Sequence, residues 1–179
     1  MRKLHNDELN RLSVAEFKSA DKIPVVLVLD NVRSLYNVGS VFRTADAFLC
    51  AGICLCGITA CPPHKEIHKT ALGAEDSVAW RFFDNTVDAL SYLRQEGYTI
   101  VIVEQIEGSK VLSEAIFEAG KSYALVFGHE VKGVDEAALA MGDWCVEIPQ
   151  FGTKHSLNIS VSVGVVLWEM SKQLMPRMV

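Results

Sequence analysis

The chain has 179 residues, a formal net charge of −5 and half of its residues hydrophobic, enough for one domain with a substantial core. Its apolar runs are short and broken by charge, so none reaches the roughly 20 residues of a membrane span, and Met1-Arg2-Lys3-Leu4-His5-Asn6-Asp7 lacks the apolar core of a signal peptide. A soluble cytoplasmic protein is the expectation, and the negative charge excludes nucleic-acid binding through bulk positive charge while leaving room for a local basic site.

Residues 3–20 read as helix, with Ser13 and Glu16 spaced as a capping box and Leu4, Leu9, Leu12 and Phe17 as the packing face. Pro24 closes this N-terminal helical segment (1–23), and Val25-Val26-Leu27-Val28-Leu29 is an apolar strand of the kind buried on both faces. A polar loop, Asp30–Tyr36, follows, with Asn37 as helix N-cap and Val38, Val41, Phe42, Ala45 and Phe48 as the apolar stripe. Gly39 and Arg43 are four apart on a different face. Two readings stand there: a helix surface opened to a ligand and overlooked by an arginine, or a surface arginine on an amphipathic helix.

Gly52–Gly57 is the second strand. The loop from Thr59 to Leu72 exceeds the usual connection of about 2–6 residues, which marks it as a functional candidate. Four of the five cysteines lie between 50 and 61. Cys56, Cys61, His64 and His68 as zinc ligands fit no common spacing, so buried thiols and no metal are expected. Val78–Phe83 reads as strand, Val87–Gln95 as helix, Thr99–Val103 as strand, 109–118 as helix, Tyr123–Phe127 as strand and 135–141 as a short helix. Cys145–Ile148 is a strand stopped by Pro149, and Ser156 or Asn158 caps a last helix. In that helix Ile159, Val163, Val166, Met170 and Leu174 form one face and Val161, Val165 and Trp168 a second, so burial on most sides is expected. Ser160 and Gly164 form a small-residue seam. Strands alternating with helices give an α/β fold, a mainly parallel sheet flanked by helices.

The loops Asn31–Asn37, Gly128–Gly133 and Pro149–Leu157 follow strand ends, where ligands bind in open α/β sheets. No G-x-G-x-x-G, G-x-x-x-x-G-K-[ST] or G-x-S-x-G occurs, which weighs against nicotinamide enzymes, kinases and hydrolases. Arg33, Arg43, Lys65, Lys69, Lys132 and Lys154 lie in or beside loops.

Three blocks resemble the motifs of the SpoU (TrmH) family of RNA 2'-O-ribose methyltransferases, in the SPOUT superfamily. They are Asn37-Val38-Gly39-Ser40-Val41-Phe42-Arg43, Leu125-Val126-Phe127-Gly128-His129-Glu130-Val131-Lys132-Gly133, and Ile148-Pro149-Gln150-Phe151-Gly152 with Ser156-Leu157-Asn158-Ile159-Ser160-Val161. Lys69-Thr70-Ala71-Leu72-Gly73-Ala74 resembles a further family segment, and the likeness spans about 24–172. Against larger relatives the chain is read as lacking a separate N-terminal RNA-binding domain.

The resemblance implies a C-terminal deep trefoil knot within a single catalytic domain (1–179, knotted core 24–172), where an unaided reading gives an ordinary doubly wound sheet. It implies a homodimer that binds S-adenosyl-L-methionine and acts on tRNA or rRNA. By the same resemblance Asn37, Arg43, Glu130, Ser156 and Asn158 form the reaction centre, with Phe127, Gly128, His129, Gly133, Ile148, Gln150, Gly152 and Leu157 around the cofactor. Ile148 and Leu157 would sandwich its adenine, and Gly128 and Gly152 would let backbone approach it. Arg33, Lys65, Lys69 and Lys154 are the expected RNA contacts. Two alternatives remain: an inactive RNA-binding or assembly protein of the same fold, and a base-methylating SPOUT enzyme.

Overall fold

The computed structural model describes residues 1–9 and 11–175. Strand β1 (Ile23–Asp30) is buried on both faces, as a continuous apolar run requires. The other strands are β2 (Cys50–Cys56), β3 (Trp80–Phe83), β4 (Tyr98–Val103), β5 (Lys110–Val111), β6 (Ser122–Phe127) and β7 (Trp144–Glu147). They form one sheet in the order β3-β2-β1-β6-β4-β7-β5, and every pairing between these strands is parallel.

Alternate residues of β1 feed two cores. Val25, Leu27 and Leu29 pack with apolar residues of α2 (Leu35–Ala47), α3 (Lys65–Ala71), α4 (Ala74–Ser77) and α7 (Ile159–Leu174). Val26 and Val28 pack with Ala89, Leu90 and Leu93 of α5 (Thr86–Gln95) and Ala138 of α6 (Glu136–Leu139). Among the described residues no helix is long and apolar enough to cross a membrane. Cys50, Cys54 and Cys56 are buried free thiols, and burial pushes Cys54 up to about 12.

The N-terminal helix is shorter than its pattern suggests: a 3-10 turn at Asn6–Leu9, then α1 (Val14–Ser19). The Ser13–Glu16 capping box forms, with Ser13 N–H donating to Glu16 Oε2 at 2.7 Å. Only Phe17 of the expected packing face is buried; Leu4, Leu9 and Leu12 are exposed. Pro24 does not close the segment but sits inside β1, where the register shifts between Ile23 and Val26 and the ladder needs no N–H from it. The long loop after β2 contains α3, capped by His64, whose Nδ1 accepts the Glu66 N–H at 3.1 Å. The expected helix at 109–118 is instead β5 and a 3-10 turn, because Lys110–Val111 pairs with β7.

Helix α7 is capped by Asn158, whose Oδ1 accepts the Ser160 N–H at 2.9 Å. It buries Ile159, Val163, Val166 and Met170 but leaves Val161, Val165 and Trp168 exposed, so in the single chain it is buried on one side rather than most. The glycines of α2 and α7 differ in kind. At Gly39 a Cβ would lie 2.2 Å from the Ile67 carbonyl oxygen and from Thr70 Oγ1, so glycine lets α3 cross α2 closely. The ligand reading of that open face is therefore replaced by helix packing. At Gly164 the nearest atom to a Cβ would be Thr44 Cγ2 at 4.0 Å, ordinary contact. Gly39→Ala is expected to cost about 2 kcal/mol or more by displacing α3 backbone. Gly164→Ala is expected to be neutral or to stabilise by up to about 1 kcal/mol through helix propensity. Urea denaturation of both variants measures the contrast.

Candidate active site

The loop after β1 is fixed from below by a buried carboxylate. Asp30 Oδ1 accepts the Thr86 hydroxyl and, at 2.9 Å, Asn31 Nδ2, while Oδ2 accepts the Asp135 N–H at 2.7 Å. Thr59 adds a second tie, accepting the Val32 N–H at 2.9 Å and donating to the Leu29 carbonyl at 3.0 Å. Ser34, not Asn37, caps α2, accepting the Asn37 N–H at 3.3 Å. Asn37 is thus a buried first-turn residue whose side chain is free to reach other loops.

It reaches two. Asn37 Nδ2 donates to Glu130 Oε1 at 3.0 Å, and Asn37 Oδ1 accepts Asn158 Nδ2 at 3.1 Å. Glu130 also takes the Arg33 N–H on Oε2 at 3.1 Å and the Ser34 N–H on Oε1 at 3.0 Å. A carboxylate at the opening of a helix satisfies N–H groups there and complements the helix dipole. Burial pushes the Glu130 carboxyl up, but hydrogen bonds from its own, the Arg33 and the Ser34 N–H groups and from Asn37 outweigh it and hold it below the usual range.

Residues 129–133 close on themselves: His129 N–H donates to the Gly133 carbonyl at 3.0 Å and Gly133 N–H returns to His129 at 2.9 Å. Gly133 has φ +72°, which favours glycine. A Cβ on Gly128 would lie 2.2 Å from Gly133 C, so loop closure alone requires a glycine there.

The loops after β6 and β7 wall a cleft of about 690 Å³, within the usual size of small-molecule sites. Phe127, Gly128, His129, Gly133, Ile148, Gln150 and Leu157 line it, as do Glu130, Ser156 and Asn158. Asn37 lies one hydrogen bond behind that lining. Gly152 does not line it, and no atom lies within 4 Å of where its Cβ would be, so the cofactor assignment of Gly152 has no geometric support. Arg43 is also outside the lining, exposed on α2 and without a side-chain hydrogen bond or ion pair among the described residues. Arg33, Lys65 and Lys154 are exposed, whereas Lys69 is paired with Glu66 at 2.8 Å, an exposed pair of small energetic weight. Of the three loops named from the sequence, those after β6 and β7 line the cleft while Asn31–Asn37 stands behind it, and the sequence reading missed another wall, Val103–Ile106 at the end of β4. The rule that singled out the other three loops applies equally to that strand end. Among the described residues no group of His, Cys, Asp or Glu is arranged to hold a metal.

Residues 24–168 match the model of the SpoU rRNA Methylase family. The chain belongs to that family. Its relatives include the tRNA (guanosine(18)-2'-O)-methyltransferase of Thermus thermophilus, 28% identical over 93% of this chain and 84% of that protein. The 23S rRNA (guanosine-2'-O-)-methyltransferase RlmB of Pasteurella multocida is 31% identical over 93% of this chain and 67% of that one. An AdoMet-bound rRNA methyltransferase from Sinorhizobium meliloti superposes with a TM-score of 0.79 at 27% identity, covering 89% of this chain and 60% of that one. Some relatives are longer: the chain spans 63% of a TrmH family relative in Staphylococcus saprophyticus, with 29% identity over 89% of this chain.

In this SpoU family member the Glu130 cluster predicts a pH signature. Glu130→Gln places an NH₂ group against one of the donors Arg33 N–H, Ser34 N–H or Asn37 Nδ2, and is expected to cost about 1 kcal/mol near neutral pH, discounted for partial exposure. Because the folded carboxyl titrates below its unfolded value of about 4.3, its contribution is present above that value. It is lost as the pH falls through the folded value. Denaturation of both proteins between pH 7 and 3 is expected to show a stability gap that closes on the acid side.

Proposed function

We propose that this chain transfers the methyl group of S-adenosyl-L-methionine to a ribose 2'-hydroxyl of structured tRNA or rRNA. The observation that carries the reading is the Asn37–Glu130–Asn158 cluster, which joins the three family blocks at one edge of a nucleoside-sized cleft. The 2'-O-methyltransferase names of the Thermus and Pasteurella relatives support it. The cleft suits the cofactor chemically: Ile148 and Leu157 offer apolar walls, and the 128–133 loop and Gln150 offer polar groups between them. When bound, S-adenosyl-L-methionine supplies an electrophilic methyl group on a sulfonium. A trefoil knot over 24–172, a homodimer and a cytoplasmic location belong to the same reading.

The protein's part is alignment and proton management. Glu130 is occupied by N–H donors and by Asn37, so it sets the position of α2 rather than taking the substrate proton. Ser156 and Asn158 stand at the cleft edge as polar contacts for the ribose. Arg43 is not a base, since a guanidinium presents only N–H donors and no acceptor site. It orients the target ribose and an adjacent RNA phosphate, with the hydroxyl proton shared with that phosphate. Arg33, Lys65 and Lys154 supply local positive charge to the RNA in a chain of net charge −5.

The exposed stripe Val161, Val165 and Trp168 supports α7 as part of the dimer interface. Arg43 stands outside its own cleft, and in the dimer we assign it to the neighbouring protomer's cleft. Sedimentation at micromolar concentration is expected to give a dimer, and Trp168→Asp a shift toward monomer.

Arg43→Ala is expected to lower single-turnover methyl transfer into undermodified RNA by at least about 100-fold, with homocysteine-product affinity by calorimetry within about threefold. Arg43→Lys should recover little, because an ammonium lacks the planar bidentate hold. Near-normal transfer by Arg43→Ala refutes the catalytic assignment. Absence of S-adenosylhomocysteine binding to the unaltered protein refutes the cofactor.

A further inference from the structure

The cleft contains a carboxylate that the roles above leave unused. Glu104 directly follows β4, is half-buried, and lines the cleft. Each of its oxygens accepts one N–H: Gln105 on Oε1 at 3.0 Å and Val134 on Oε2 at 3.3 Å. An ionised carboxylate offers about four lone-pair sites, so acceptor capacity remains on both oxygens. Among the described residues no Lys, Arg or His forms an ion pair with it. Its position is set from two sides, since a Cβ on Gly133 would come within 2.5 Å of Oε2. The carboxylate end thus lies directly against the 129–133 loop.

Sheet order indicates which part of a ligand meets it. β4 lies between β6 and β7. The end of β7 leads to Ile148, the proposed adenine wall, and the end of β6 leads to Glu130 beside the proposed reaction centre. In an adenosyl group the ribose joins base to sulfur, so it falls over the strand end between those two, which carries Glu104. Its adjacent 2'- and 3'-hydroxyls are two donors, matched to two oxygens with open acceptor sites.

We propose that Glu104 binds the ribose diol of the adenosyl cofactor, accepting both hydroxyls and so fixing the cofactor along the line from adenine to methyl donor. This rests on the S-adenosyl-L-methionine reading. The rival role within the same cleft is an ion pair with the cofactor's α-ammonium, and the structural rival is support of the 129–134 loop alone.

The test is calorimetry of unaltered, Glu104→Gln and Glu104→Ala proteins with three probes: S-adenosylhomocysteine, its 2'-deoxy form, and 5'-methylthioadenosine, which keeps the diol but lacks the amino acid. Glu104→Ala is expected to weaken S-adenosylhomocysteine and 5'-methylthioadenosine alike, by about 10- to 100-fold, and Glu104→Gln less. For the 2'-deoxy probe the loss on substitution should shrink at least about fivefold. Equal losses for the deoxy and parent compounds overturn the proposal in favour of loop support. An unchanged affinity for 5'-methylthioadenosine overturns it in favour of the ammonium. If the unaltered protein binds none of the probes, the cofactor reading itself fails, and this inference with it. Thermal melts without ligand identify a folding defect in Glu104→Ala, in which case the isosteric Glu104→Gln decides by the same comparison.

Discussion

The Glu130 carboxylate is the point on which the site depends. Its oxygens take the N–H groups of Arg33 and Ser34 and the side-chain amide of Asn37, and Asn37 in turn receives Asn158. The bonded pairs lie 93 to 121 positions apart in sequence, so Glu130 joins the loops after β1 and β6, and Asn37 extends the link to the loop after β7. Hydrogen bonds to a charged acceptor are stronger than neutral ones. The depressed Glu130 pKa is the electrostatic expression of the same contacts. Free of other duty, a carboxylate at this edge would be a candidate base; saturated with donors, it is a fastener.

Beneath it, Asp30 does similar work with less exposure. It ends β1, is 1% exposed, and collects donors from Asn31, Thr86 and the Asp135 backbone. The start of α5 and the approach to α6, both on the same face of the sheet, are thereby tied to β1. A burial that would otherwise be costly is offset because several donors converge. The Asp135 tie holds the chain just after the 129–134 wall of the cleft, which lowers the ordering cost of binding a ligand there.

The glycines show why type alone does not reveal purpose. Gly39 exists for the α2–α3 crossing, Gly128 for closure of its own loop, and Gly133 for a left-handed turn pressed against Glu104. In each case the near neighbour is the protein itself. Arg43, on the helix that Gly39 allows to pack, is exposed and not among the residues that line the cleft. Under the proposed reading, the cofactor pocket is a property of one chain and the substrate-orienting cation a property of the pair.

Much of this was legible in the residues. The uninterrupted Val25–Leu29 run determined a doubly buried strand, and alternation of apolar runs with helical stripes determined a parallel α/β sheet. Chain chemistry also singled out Ser13 with Glu16 as a cap, and two of the three strand-end loops it named line the cleft. These features arise from local periodicity and from the geometry of parallel strands, which neighbours in sequence suffice to encode. The sequence did not reveal that Asn37 would be relieved of capping by Ser34 and reach Glu130 and Asn158. Nor did it reveal that Lys110–Val111 would pair with β7, that α3 would interrupt the long loop, or that Glu104 would enter the cleft. Each of the long-range outcomes depends on strand order, β4 standing between β6 and β7 and β5 beside β7. Strand order is settled by packing across the whole sheet, because no single segment carries the energy that chooses its neighbour.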